Sequence, residues 1–169
     1  MELQNLMNYV SVACPVVNRL LRNNIGASEY TFDTLFEDGI IPNPLYRFVN
    51  NEYVYIQDGI FLEKGYLSCT SDFDSFITKV DGENIACLQF DIPNNFRRIE
   101  ISDLLPDYNN ESEIIPPRGL RFCVEQKQVY STYGEIQEFL DNVDSISCAK
   151  EILEFYGFRT IHYYKLSLV

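Results

Sequence analysis

The feature that most restricts how this chain can fold is a change of period near Asn43. Ahead of it, apolar residues recur at three- and four-residue steps. Beyond it they fall into short alternating or continuous runs bounded by Gly, Pro, Asn and Asp. A chain that spends its helical pattern first and its strand pattern afterwards is expected to form an α+β domain: N-terminal helices, then a mainly antiparallel β-sandwich core.

Within the front part, residues 4 to about 23 read as helix, with Leu6, Val10, Ala13, Val17 and Leu20-Leu21 on one face and Asn24 and Gly26 near its end. Pro15 lies inside this pattern and predicts two short helices or a kink, because it lacks an N–H and crowds the preceding turn. A second short helix is expected over 31–38, capped by Thr31, with Phe32, Leu35 and Phe36 on its apolar face and Gly39 at its end.

Strands are expected at 45–49, 53–56, 65–70, 85–90 and 98–101, and a long one over 119–130. Asp58-Gly59 marks a turn, Ser71–Phe76 a loop or helical turn, and 85–90 a central strand. Two later helices are expected, at about 133–142 and, capped by Ser145 and ended by Gly157, at about 146–156. Arg159–Val169 alternates as a closing strand. No repeat, linker or low-complexity tract interrupts the 169 residues, so the expectation is one domain, 1–169, helical over 1–40 and mainly strands over 41–169.

Composition excludes several classes. A formal net charge of -12 argues against nucleic-acid binding by phosphate neutralisation, and fits solubility or a basic partner surface. The five cysteines are odd in number and form no Cys-x-x-Cys, and His162 is the only histidine, so no metal site is expected and free thiols in a reducing compartment are the simplest outcome. A Cys–His nucleophile is disfavoured, since His162 alternates within a strand and no oxyanion-type context flanks any cysteine. The eight glycines form neither a Walker nor a Gly-x-Gly-x-x-Gly pattern. The N-terminus lacks a basic start followed by an apolar run, and no stretch is long enough to span a bilayer, so the chain is expected to be soluble and cytoplasmic.

Chemistry concentrates in Tyr108-Asn-Asn-Glu111-Ser112-Glu113-Ile-Ile-Pro-Pro-Arg118-Gly119. If residues 111–115 are extended, Glu111 and Glu113 share a face. Adjacent like charges repel, which a purely structural strand avoids and a site stabilising a developing cation would use. The other reading of these residues is a solvated acidic loop.

Arg47 in the first strand, Ser68-Cys69-Thr70 in a later one and Glu111-x-Glu113 after it stand in an order that resembles the Arg–Ser–Glu class of mono-ADP-ribosyltransferases. This is the cholera-toxin-like group of bacterial toxins, effectors and phage modification enzymes. The resemblance runs from about Leu45 to Phe122 and implies an enzyme that uses NAD+ as co-substrate and no metal. Arg47 would hold a phosphate of NAD, which suits a planar fork of donors. Ser68 would orient the catalytic glutamate, and Thr70 and Phe73 would help to bind NAD. The family's Ser-Thr-Ser reads Ser68-Cys69-Thr70 here; a register shifted by one, ending at Ser71, is the alternative. Glu113 would stabilise the developing oxocarbenium-like charge, as carboxylates do in glycosidases. Glu111 would position an arginine of the target protein and accept its proton.

Tyr108 stands where the family often carries a target-contacting aromatic, and equally where a loop anchor would be. Phe76 shares with Phe73 the segment after the Ser/Thr strand, where packing in the core is an alternative role for either. The implied partner is a protein with an accessible arginine, without nucleic acid or membrane insertion. The implied place of action is a cytoplasm, that of a host cell after delivery by a specialised secretion system or phage included. An NAD glycohydrolase, or a catalytically inactive binding module of the same fold, are the alternatives.

Overall fold

A computed structural model describes residues 1–25, 27–73, 82–108, 112–143 and 159–169 of the chain. The front is helical, as the period requires: α1 (Glu2–Asn8), a π-helical turn (Tyr9–Ala13) and α2 (Cys14–Arg22) follow one another directly. The wide π turn falls just ahead of Pro15, whose missing N–H and bulky ring cannot continue a regular ladder; the helix absorbs the proline by widening. Leu6 ahead of the turn and, three residues on, Tyr9 at its start are enclosed, as are Val17 and Leu21 after it, while Val10 is only partly buried.

The helix expected over 31–38 does not form. Helix α3 (Ala27–Tyr30) precedes it, a 3-10 turn covers Asp33–Leu35, and Glu37–Ile40 is strand β1. Tertiary contacts outweigh the local pattern. The backbone N–H of Phe32 donates to the Tyr66 hydroxyl at 2.9 Å, and the Asp33 carboxylate is held by Tyr66 and Arg118. The aromatics are nonetheless buried: Phe32 stacks on Tyr66 with ring centroids 3.8 Å apart, and Phe36 lies against both. Gly39, instead of ending a helix, lies in β1 beneath the Arg98 guanidinium, where an added Cβ would meet Cζ at 2.5 Å.

The remaining strands are β2 (Leu45–Asn50), β3 (Ile56–Gln57), β4 (Ile60–Leu62), β5 (Cys69–Thr70), β6 (Asn84–Asp91), β7 (Asn95–Glu100), β8 (Glu113–Ile115), β9 (Arg121–Tyr130) and β10 (Thr160–Leu168). Among the described residues they hydrogen-bond in the order β1-β7-β8-β5-β2-β6-β10-β9-β4-β3. All pairs are antiparallel except β6 with β10. The strand at 85–90 is central, as its apolar run predicts.

Other boundaries differ from expectation. Residues 51–53 are a 3-10 turn, so only Ile56–Gln57 of the next run is strand. Of 65–70 only Cys69–Thr70 is strand, and the run at 98–101 gives way at Ile101 to the short helix α4 (Ile101–Leu104). Helix α5 (Tyr133–Asn142) lies where expected, started by a capping box between Thr132 and Glu135. The expected helix at 146–156 lies outside the described residues.

Three buried clusters support this frame. One is made, among the described residues, of strand and loop residues alone, with Phe61, Phe90 and Phe122 at its heart and Cys69 and Ile114 among its members. The ten-stranded sheet thus supplies this core from its own residues and the loops between its strands. The second packs α5 on Tyr46, Phe48, Ile85 and Ile161; the third packs α1, the π turn and α2 on Tyr66, Ile99 and Ile115. No helix among the described residues is long and apolar enough to cross a membrane.

Candidate active site

Strand β5 lies between β2 and β8, and this order assembles the site. Tyr46 pairs with Thr70, and Thr70 with Glu113, so the three lie in one line across three strands. Arg47 follows Tyr46 on β2, and Ser68 lies two residues before Thr70. The Ser68 hydroxyl donates to Oε1 of Glu113, and Nη1 of Arg47 donates to the Ser68 carbonyl at 2.9 Å. One serine thus touches both the carboxylate and the guanidinium.

Glu113 is 9% exposed, and burial lifts its carboxyl above the ordinary glutamate range, an effect that the Ser68 hydrogen bond and Arg47 moderate. Burial also works against the charge on Arg47, but Tyr9, Cys14, Cys69 and Glu63 around it more than offset that, and it stays a cation. No carboxylate among the described residues lies within ion-pair distance of Arg47. A partly buried guanidinium beside a buried carboxylate that does not neutralise it is suited to an anionic ligand.

The other expected site residues are placed differently. The Thr70 hydroxyl accepts from the Asp72 N–H at 2.9 Å, shaping the turn that leaves β5. Phe73 is 2% exposed, its ring edge-on to Tyr46 and Phe48 at 5.2 and 5.1 Å, in the cluster under α5. The Tyr108 hydroxyl donates to the Val10 carbonyl, tying its loop to the π turn. Glu111 and Phe76 lie outside the described residues. Ser112 has φ 54°, a left-handed conformation, so the extended run begins at Glu113. The period-of-two argument for a shared face therefore does not reach back to Glu111.

Several residues that support the site carry no signal in the sequence. Glu63, 8% exposed, accepts from Arg22 Nε and Nη2 at 2.8 and 2.5 Å and from the Gly65 N–H at 2.8 Å. Arg118 grips Asp33 with Nε at 3.0 Å and lies over the Tyr66 ring, 5.3 Å from its centre. Asn18 and Tyr9 hold the backbone of Tyr66. Apart from the Glu63–Gly65 bond, these partners are 41 to 85 residues apart in the chain, so no local period announces them.

No protein-family model and no curated protein sequence matches the chain. Solved structures do share its fold. The catalytic domain of VsdC from Aeromonas hydrophila superposes with a TM-score of 0.55 at 13% identity, over 100% of both chains. Plx2a, an ADP-ribosyltransferase toxin from Paenibacillus larvae, gives 0.54 at 15% identity, over 99% of this chain and 85% of its own. The ADP-ribosylating toxin BECa of a binary enterotoxin of C. perfringens gives 0.59 at 14% identity, over 99% of this chain and 43% of its own. The chain has the ADP-ribosyltransferase toxin fold, with N-terminal helices packed on a large, mostly antiparallel sheet.

Proposed function

We propose that the protein is an NAD-dependent mono-ADP-ribosyltransferase that modifies an arginine of a target protein. The observation that carries this is the Ser68–Glu113 hydrogen bond beside the Arg47 guanidinium, where the segment entering β5 runs between β2 and β8. Fold neighbours determined with NADH, or with carba-NAD in the case of exoenzyme S of Pseudomonas aeruginosa, lend support to the choice of co-substrate.

In this reading Arg47 binds the diphosphate through its fork of donors. Glu113, held by Ser68, accepts a hydrogen bond from the ribose and stabilises positive charge as it develops there. The bond from ribose C1′ to the nicotinamide nitrogen breaks, and its electron pair leaves with nicotinamide. A guanidinium nitrogen of the target bonds to C1′, and its proton passes to Glu111. Such a carboxylate is needed because a guanidinium remains protonated to pH ~12 or above and is a poor nucleophile. The target and the cytoplasm in which it is met, a host's included, belong to the same proposal.

The test is incubation with labelled NAD and a cell lysate, wild type beside Glu113→Gln. The expected result is a labelled protein band, absent in the variant and removed by hydroxylamine. Nicotinamide release with no band in any lysate or with free arginine would make water the acceptor. With neither product, the protein would be a binding module.

A further inference from the structure

The segment that leads into Ser68 is held by side chains of the N-terminal helices instead of a neighbouring strand. Oδ1 of Asn18 accepts from the Tyr66 N–H at 2.7 Å, and Nδ2 of Asn18 donates to the Tyr66 carbonyl at 3.0 Å. The carboxamide thus pairs with both backbone groups of one residue, as a strand would. Its orientation follows from its partners, because a flipped amide would set donor against donor and acceptor against acceptor. The Tyr9 hydroxyl adds a second donor to the Tyr66 carbonyl at 3.1 Å and also receives Nδ2 at 3.3 Å. Asn18 is 2% exposed, so none of these bonds is exchanged for water at little cost.

The approach is close enough to dictate the residue opposite. A Cβ on Gly65 would meet Oδ1 of Asn18 at 2.3 Å and Cγ at 2.7 Å. Two residues beyond Tyr66, Ser68 makes its bonds to Glu113 and Arg47. A shift of the Tyr66 backbone therefore moves the hydroxyl that aims Glu113.

We propose that Asn18 is a positioning residue for the reaction. Its carboxamide fixes the backbone at Tyr66, and through it the Ser68 hydroxyl and the Glu113 carboxylate. The inference rests on the function proposed above, and it makes the junction of the π turn and α2 part of the catalytic apparatus rather than only a lid on the third core cluster.

The test reads Glu113 directly, by carbon-13 NMR of its side-chain carboxyl through a pH titration, with nicotinamide release measured in parallel. Ser68, Arg47, Cys69 and Tyr108 are the groups whose interactions with Glu113 could move its midpoint. Ser68→Ala sets the reference, since loss of that hydrogen bond raises the midpoint. Asn18→Ala is expected to raise it in the same direction and to lower kcat by about ten- to hundredfold, the usual cost of misplacing a catalytic group by an ångström or so. KM for NAD should change far less than kcat. Gly65→Ala, which pushes on the carboxamide from the other side, should give the same signature. Should Asn18→Ala not fold, Tyr9→Phe and Gly65→Ala carry the test. A midpoint unmoved in the folded variants while Ser68→Ala moves it, or an unchanged kcat, overturns the proposal. If the wild type releases no nicotinamide, the midpoint alone decides. A shift keeps the positioning role and removes the transferase, whereas no shift removes the positioning role.

Discussion

The Ser68 hydroxyl donates to Glu113 Oε1 across the boundary between the segment entering β5 and strand β8. This bond favours the ionised carboxylate, while burial of Glu113 favours the protonated form and prevails. The two effects balance at a net upward shift, smaller than burial alone would give.

Ser68→Ala should move that balance. On the proposed function activity requires the Glu113 carboxylate, so the acid limb of kcat/KM should lie above the ordinary glutamate value of about 4.3. Loss of the hydrogen bond raises the midpoint further, and the limb should shift to higher pH. The pH profile of nicotinamide release checks this.

Glu113→Gln and Glu111→Gln should separate two roles. The first should lower both arginine transfer and NAD hydrolysis by about a hundredfold or more, the scale for losing a group aimed at transition-state charge. The second should remove arginine transfer and leave most of the hydrolysis. Equal loss of both activities in Glu111→Gln would contradict the division. Stability has the opposite sign. A carboxyl with a raised folded-state pKa contributes stability below its unfolded pKa, and that contribution is lost as pH rises through the folded value. Glu113→Gln should therefore leave Tm unchanged or raised at neutral pH.

Arg47→Ala should weaken NAD binding by roughly ten- to a hundredfold, the worth of charge-assisted hydrogen bonds to an anion. Arg47→Lys should recover only part of it, because a point charge cannot reproduce the fork that also reaches the Ser68 carbonyl. Calorimetric titration with NAD measures both.

Glu63→Gln should cost about 2 kcal/mol, since it removes the charge from a partly buried bidentate pair with Arg22. Burial opposes the ionised form of Glu63, but Arg22 and the Gly65 N–H more than compensate and hold its pKa below the usual value. Its stabilisation is present above the unfolded pKa of about 4.3 and is lost as pH falls through the lowered folded value. The variant should accordingly show a flatter loss of stability on acidification, measurable by urea unfolding at several pH values.

Cys69 lies between the site residues on β5, 1% exposed, and burial pushes its thiol up to about 12. Iodoacetamide at pH 8 should leave it unmodified in the native protein, with Cys14 and Cys123, both partly exposed, reacting ahead of it. Peptide mapping by mass spectrometry reads the order.

Much of the fold was legible in the residues alone. The step from helical to strand period near Asn43, the central strand at 85–90, the long strand ending at Tyr130 and the helix at 133–142 all follow from local spacing. The choice of Arg47, Ser68 and Glu113 came instead from the resemblance that their order in the chain carries. Spacing reports burial: Ile136, Phe139 and Leu140 line one face of α5, and the apolar run at 85–90 is enclosed on both faces.

What only the tertiary structure decided is who the neighbours are. The order β8-β5-β2 brings Glu113, Ser68 and Arg47 together, and it arises from ladders between segments far apart in sequence. Residues 31–38 look helical by spacing, but Phe32 and Asp33 are claimed by Tyr66 and Arg118. Residues 65–68 look like strand, but the backbone of Tyr66 is claimed by Asn18 and Tyr9. Ser112, in a run expected from spacing to be extended, turns left-handed. In the first two cases a hydrogen-bonding group is met by a partner many residues away, which a local pattern cannot encode and the closed, buried structure must supply.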